Sequence, residues 1–161
     1  MRGVVLPLAL LFSATGLMLG CVPRAVRASS TLLLLATVAA GSFVEIPRLA
    51  LEGVYLGCWI SVVVIAASVH VVSRLDAWAP LLLSANAGAI ASGVAAVSDA
   101  RIAVLRALPC VLLLLPASYL AGRNALIPVK IVSSWIIAIA LLAATLQLQP
   151  VTPGYLPDHL E

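Results

Sequence analysis

Charge is what this 161-residue chain has least of. Nine basic and six acidic residues make up 9% of it, against about 25% in ordinary soluble domains. A water-soluble domain is thereby excluded, because the sequence holds too little polar surface to cover one. The basic residues stand singly or in pairs, with no run of like charge. They read as topology and headgroup anchors, so no nucleic-acid partner is expected. Cys21, Cys58 and Cys110 lie far apart without paired spacing, which argues against a disulfide framework and against a zinc or iron–sulfur site. They read as small apolar packing residues. Two histidines, His70 and His159, do not supply a haem held between two helices of one chain. A phosphate loop, a dinucleotide fingerprint, HExxH and GxSxG are all missing. The stretch 98–101 lacks the carboxylates that a lipid-headgroup transferase would place around a metal. No enzyme activity, cofactor or metal is expected.

What the chain does have is apolar length. Hydrophobic residues make up 63% of it, and they fall into six blocks at about 3–21, 30–44, 51–72, 79–98, 103–121 and 129–147. Crossing about 30 Å of hydrocarbon takes roughly 20 apolar residues in a helix. Most blocks meet that, and the second is short. The pattern predicts an all-α, polytopic transmembrane bundle of six spanning helices joined by short turns. It forms one membrane domain over 1–148, followed by a polar tail over 149–161 that leaves the bilayer as an extended segment. The first block ends Leu-Gly-Cys21 and resembles a lipoprotein signal. Met18 and Leu19 make a poor lipobox, so the block reads as the first spanning helix.

The joints carry turn and capping chemistry. Ser29, Ser30 and Thr31 offer hydroxyl caps for the second helix, Trp78 suits the interface, and Pro80 suits a first helical turn. Joints this short predict that consecutive helices pack as antiparallel neighbours. Six spans put Arg24, Arg27, Arg74, Arg123 and Lys130 on one side and Arg2, Arg48, Arg101 and Arg106 on the other. The positive-inside rule then leans toward both termini on the non-cytoplasmic side. Abundant Ala, Leu and Val with few Lys and Phe fits a GC-rich bacterial genome, hence an inner membrane. Residues 67–74 followed by Pro80 can be laid on 117–123 followed by Pro128 at an offset of about fifty. Three tandem helical hairpins would give that pattern. So would composition alone.

Several residues stand out as candidates. Glu45, Arg48 and Glu52 bracket the second joint, and Asp99, Arg101 and Arg106 the fourth, on the same side. They read either as interfacial ion pairs that fix helix ends or as the mouth of a pathway. Ser84, Gly88, Ser92 and Ala96 recur every fourth residue beside Ala85, Ala89 and Gly93. Such ridges let backbones approach closely, and they predict that the fourth helix is central. Gly16 and Gly20 give the first helix a shorter version. Asn86 must find a partner in hydrocarbon. Pro116 predicts a kink or a polar spot around the Leu112 carbonyl in the fifth helix. His70, four residues before Arg74, suits an interfacial hydrogen bond, a proton relay or a single axial ligand.

Two functional expectations follow. One is an oligomeric transporter or channel for an ion or small solute. The other is a non-catalytic accessory or structural subunit of a larger membrane complex. Pigment or haem binding through His70 ranks third. Expected partners are the lipid bilayer and either further copies of the chain or other membrane subunits.

Overall fold

The computed structural model describes residues 2–41, 51–71, 76–97 and 101–148. Helices account for nearly all of these residues, and no strand occurs among them. The helices are α1 (Arg2–Cys21), α2 (Arg24–Gly41), α3 (Leu51–Val71), α4 (Ala79–Val97), α5 (Arg101–Ala107), α6 (Leu114–Gly122) and α7 (Ile127–Leu148). A 3-10 segment, Leu108–Leu113, joins α5 to α6. In hydrocarbon a backbone must satisfy its own N–H and C=O groups, and a helix does so within one segment.

Among the described residues, five stretches are long and apolar enough to cross a membrane: Val4–Cys21, Gly53–Val71, Ala79–Val97, Ile102–Gly122 and Ile127–Leu148. They match five of the six expected blocks. The second block differs. Its helix starts at Arg24, six residues earlier than the apolar run suggests, with the Arg27 amide bonded to the Pro23 carbonyl at 2.9 Å. Two arginines in the first turn keep α2 below the apolar content of a span. Ser29 and Thr31 therefore lie inside the helix and do not cap it. Each returns its hydroxyl proton to its own helix, Ser29 to the Val26 carbonyl at 2.9 Å and Thr31 to that of Arg27 at 2.8 Å.

The other joints fold as the turn chemistry dictates. Pro80 is the second residue of α4, and Trp78 is exposed just before it. After α6 the chain turns through Asn124, whose φ of 56° is the left-handed conformation that favours Gly or Asn. The Ala125 amide reaches back to the Leu120 carbonyl at 2.9 Å and closes the turn.

The centre of the bundle is α1, not α4. Helix α1 touches each of the other helices, and 61% of its span is buried, against 22% for α7. Leu8, Leu11, Phe12, Met18 and Leu19 have no exposed surface. Centrality in a bundle is set by how many neighbours surround a helix, and large apolar side chains serve it as well as a small-residue ridge. Helix α4 uses its ridge for α2 and packs also on α3, α1 and α5.

Successive stretches alternate in direction, with α5 and α6 forming one stretch, but they are not the main packing partners. Helices α1 and α2 touch only slightly; α2 lies along α4, α1 on α3 and α6, and α3 on α7. A Cβ added to Gly88 would come 2.9 Å from the Leu34 carbonyl oxygen, and one added to Gly41 would strike Ser92. These two levels ascend together in both chains, so α2 and α4 are parallel. The same holds for α1 and the fifth stretch, where Gly16 meets Val111 and Gly20 meets Leu114 and Ala117. The central place of α1 has no counterpart in α3 or α6, so a hairpin repeat has no symmetric expression in the packing.

Candidate functional site

The charged mouth proposed for the second and fourth joints lies mostly outside the described residues. Glu45, Arg48 and Asp99 are among those not described. Glu52 and Arg101 fall in the first turns of α3 and α5, with side chains likewise outside the description.

Asn86, His70 and Ser92 are tied to neighbouring helices or to their own backbone. Asn86 of α4 donates from Nδ2 to Ser61 Oγ of α3 at 3.0 Å. His70 is exposed at the end of α3, with Nε2 3.4 Å from Ser134 Oγ of α7. One turn deeper Ser133 bonds the Ala66 carbonyl and ties the same two helices. Ser92 returns its proton to the Ala89 carbonyl at 2.9 Å, Gly93 is buried, and Ser84 is buried with its hydroxyl unbonded. Ser30 of α2 is also buried and unbonded, and the α2–α4 register puts it level with Ser84. Cys21, Cys58 and Cys110 are free thiols on separate elements. No group of three His, Cys, Asp or Glu gathers among the described residues.

The break in the fifth span lies upstream of Pro116. It is the 3-10 segment Leu108–Leu113, with Pro109 in its first turn and Pro116 two residues into α6. Each proline removes an amide donor and crowds the carbonyl four residues back, so a proline at either end loosens the α-helical pattern between them. Gly16 of α1 sits directly on this segment, where a Cβ would come 2.7 Å from the Val111 carbonyl oxygen.

A second feature gathers at the other end of the same contact. A cleft of about 670 Å³ lies between the α1–α2 turn and the end of α6, with Arg24, Arg27, Tyr119 and Arg123 in its wall. Arg27 is the best-held cation in the molecule's described part. Its Nε donates to the Leu19 carbonyl at 2.9 Å, and its Nη2 to those of Gly20 at 3.0 Å and Val22 at 2.9 Å. Leu19 and Gly20 lie in the last turn of α1, where carbonyls lack an i+4 helical partner, and Val22 follows the helix; the Leu19 carbonyl also accepts from the Val22 amide at 3.3 Å. Arg123 lies over the Tyr119 ring, 4.5 Å from its centroid, a cation–π distance. The cleft went unnoticed in the sequence because its two halves are about a hundred residues apart. The available signal was that joints one and five fall on one side and both carry arginine.

A third feature is an apolar cavity of about 330 Å³ between α2, α4 and α5, lined by Leu35, Val38, Ala95 and Val104 among others. Comparison with protein-family models, with curated proteins and with solved structures finds no match in any of the three.

Proposed function

We propose that the chain is a six-span membrane protein that works by packing, as a non-catalytic subunit against other membrane proteins or further copies of itself. The single observation behind this reading is the filled axis. Helix α1 occupies the middle of the bundle with fully buried Leu8, Leu11, Phe12 and Met18, where a conducting protomer needs a hydrated path. The outer faces of α5, α6 and α7 are broad and apolar, with Leu105, Leu115, Trp135 and Leu142 all more than half exposed. Such a face serves lipid and protein neighbours alike. The sixth span is α2, which runs beside α4 in the same direction. Six spans bring both termini to one side, and the arginine balance favours the non-cytoplasmic side of a bacterial inner membrane.

Native mass spectrometry of the protein purified in mild detergent tests the reading. Stoichiometric co-purification of other membrane proteins, or a silent homo-oligomer, is the expected result. Solute flux into proteoliposomes that Glu45→Gln, Glu52→Gln or Asp99→Asn abolishes would overturn it.

One observation favours the transporter or channel reading. A 3-10 interruption inside a span is a common place for a helix to bend, and here it bears on the central helix through Gly16. In that case transport would involve movement of α5–α6 against α1.

A further inference from the structure

The cleft beside the α1–α2 turn collects positive charge from two joints that are distant in sequence. Arg24 and Arg27 reach it from the start of α2, and Arg123 from the end of α6. Among the described residues no acidic side chain is in its wall, and Asp76 is exposed on the α3–α4 joint. Like charges gathered without a counter-charge repel one another, and an anion between them relieves that repulsion.

We infer that this cleft binds the phosphate oxyanion of an anionic lipid headgroup, a chemistry that a free phosphate ion shares. The three guanidinium groups differ in how they are prepared. Arg27 is anchored through Nε and Nη2 on three carbonyls of the α1 terminus, which leaves the two donors of Nη1 unspent by those bonds. Arg123 is placed by the face of Tyr119, which orients the plane of the cation without neutralising it. Arg24 is exposed at the first turn of α2. Planar guanidinium forks match phosphate oxygens two at a time. Depth fits as well. The cleft lies where α1 and α6 both end, at Cys21 and Gly122, the level at which a bilayer holds its phosphates if these spans cross it. The inference rests on the membrane reading but not on the choice between subunit and transporter.

The test uses the full chain in detergent, titrated with phosphatidylglycerol, with phosphatidylcholine and with inorganic phosphate, and read by native mass spectrometry. The protein is expected to take up phosphatidylglycerol in preference to phosphatidylcholine. Arg24→Gln and Arg123→Gln should each weaken that uptake about five-fold, the effect of one basic residue near a membrane surface. Both leave the Arg27 cap of α1 in place. Arg106→Gln, at the opposite end of the fifth span, should leave uptake unchanged. Phosphatidylglycerol that millimolar inorganic phosphate does not displace identifies a lipid headgroup. Displacement together with direct phosphate binding identifies a soluble phosphate anion at the same cleft. Equal uptake of the two lipids, or undiminished uptake in the double variant, would overturn the assignment. Carbonate extraction of the same variants keeps the membrane reading separate. A chain released by carbonate refutes that reading, whereas a retained chain indifferent to phosphatidylglycerol refutes only the cleft.

Discussion

At the scale of the residue, Arg27 shows how a rare charge is used in an apolar chain. The end of a helix leaves carbonyls without intrahelical partners, and near hydrocarbon each of these is costly. One planar guanidinium reaches three carbonyls there, two in the last turn of α1 and one just past it. Arg27→Met is therefore expected to lower stability by about 1–2 kcal/mol, within the range for hydrogen bonds to a charged group and reduced for partial exposure. Unfolding of the detergent-solubilised protein on a denaturant scale measures it. Arg27→Lys should recover little, because an ammonium is a compact donor that does not span three acceptors. Full recovery by lysine would mean that charge, not geometry, is what matters. In the sequence Arg27 reads only as a topology marker. Its identity as a cap depends on the chain doubling back through Val22 and Pro23, which no periodicity reveals. Asn86, by contrast, was legible: an amide in hydrocarbon has to find a partner, and it finds Ser61.

At the scale of the element, five helices were legible within a few residues because a span is written in apolar length. The second was misplaced because its opening turns are polar, and polarity reads as a joint. Interhelical partners were far less legible. Short joints set the alternation of direction, yet α2 lies mainly on α4 and α1 on α6, pairings decided by which small residues meet across the bundle. The contact of α1 with the 3-10 segment depends on Gly16. Gly16→Ala places a methyl group 2.7 Å from the Val111 carbonyl oxygen, and a backbone atom cannot rotate away. The expected loss is about 1–3 kcal/mol, as for overpacked cores. Gly53→Ala is the matched control, since nothing lies within 4 Å of its added Cβ. The helix propensity of alanine should make that variant neutral or more stable by up to about 1 kcal/mol. Thermal unfolding of the two variants side by side decides the matter, and equal effects would contradict the close approach.

At the scale of the whole molecule, the bundle is organised around its first helix. A small-residue ridge on α4 suggested otherwise, because such ridges mark close approach but not the number of neighbours. The parallel pairing of α2 with α4 implies that the turns before α2 and before α4 share one face of the membrane. With Cys21, Cys58 and Cys110 replaced by alanine, Ala25→Cys and Ala77→Cys should each react with a membrane-impermeant maleimide from the same side. Reaction from opposite sides would mean that α2 does not cross.

The polar opening of α2 also bears on how the protein is made. A helix that begins Arg-Ala-Val-Arg has a weak claim on the lipid phase when it first leaves the ribosome. Its main partner, α4, is synthesised dozens of residues later, a delay of several seconds at roughly 5–20 residues per second. During that interval α2 has no ridge to lie on. Its entry into the bilayer should then be post-poned until α4 arrives, so that the third and fourth helices recruit the second. Chains truncated after α2 and after α4, with the native cysteines replaced and Leu33→Cys or Ala36→Cys placed midway along α2, probed with the same maleimide during synthesis, would show protection of α2 only in the longer product. Equal protection in both would make α2 an independent inserter.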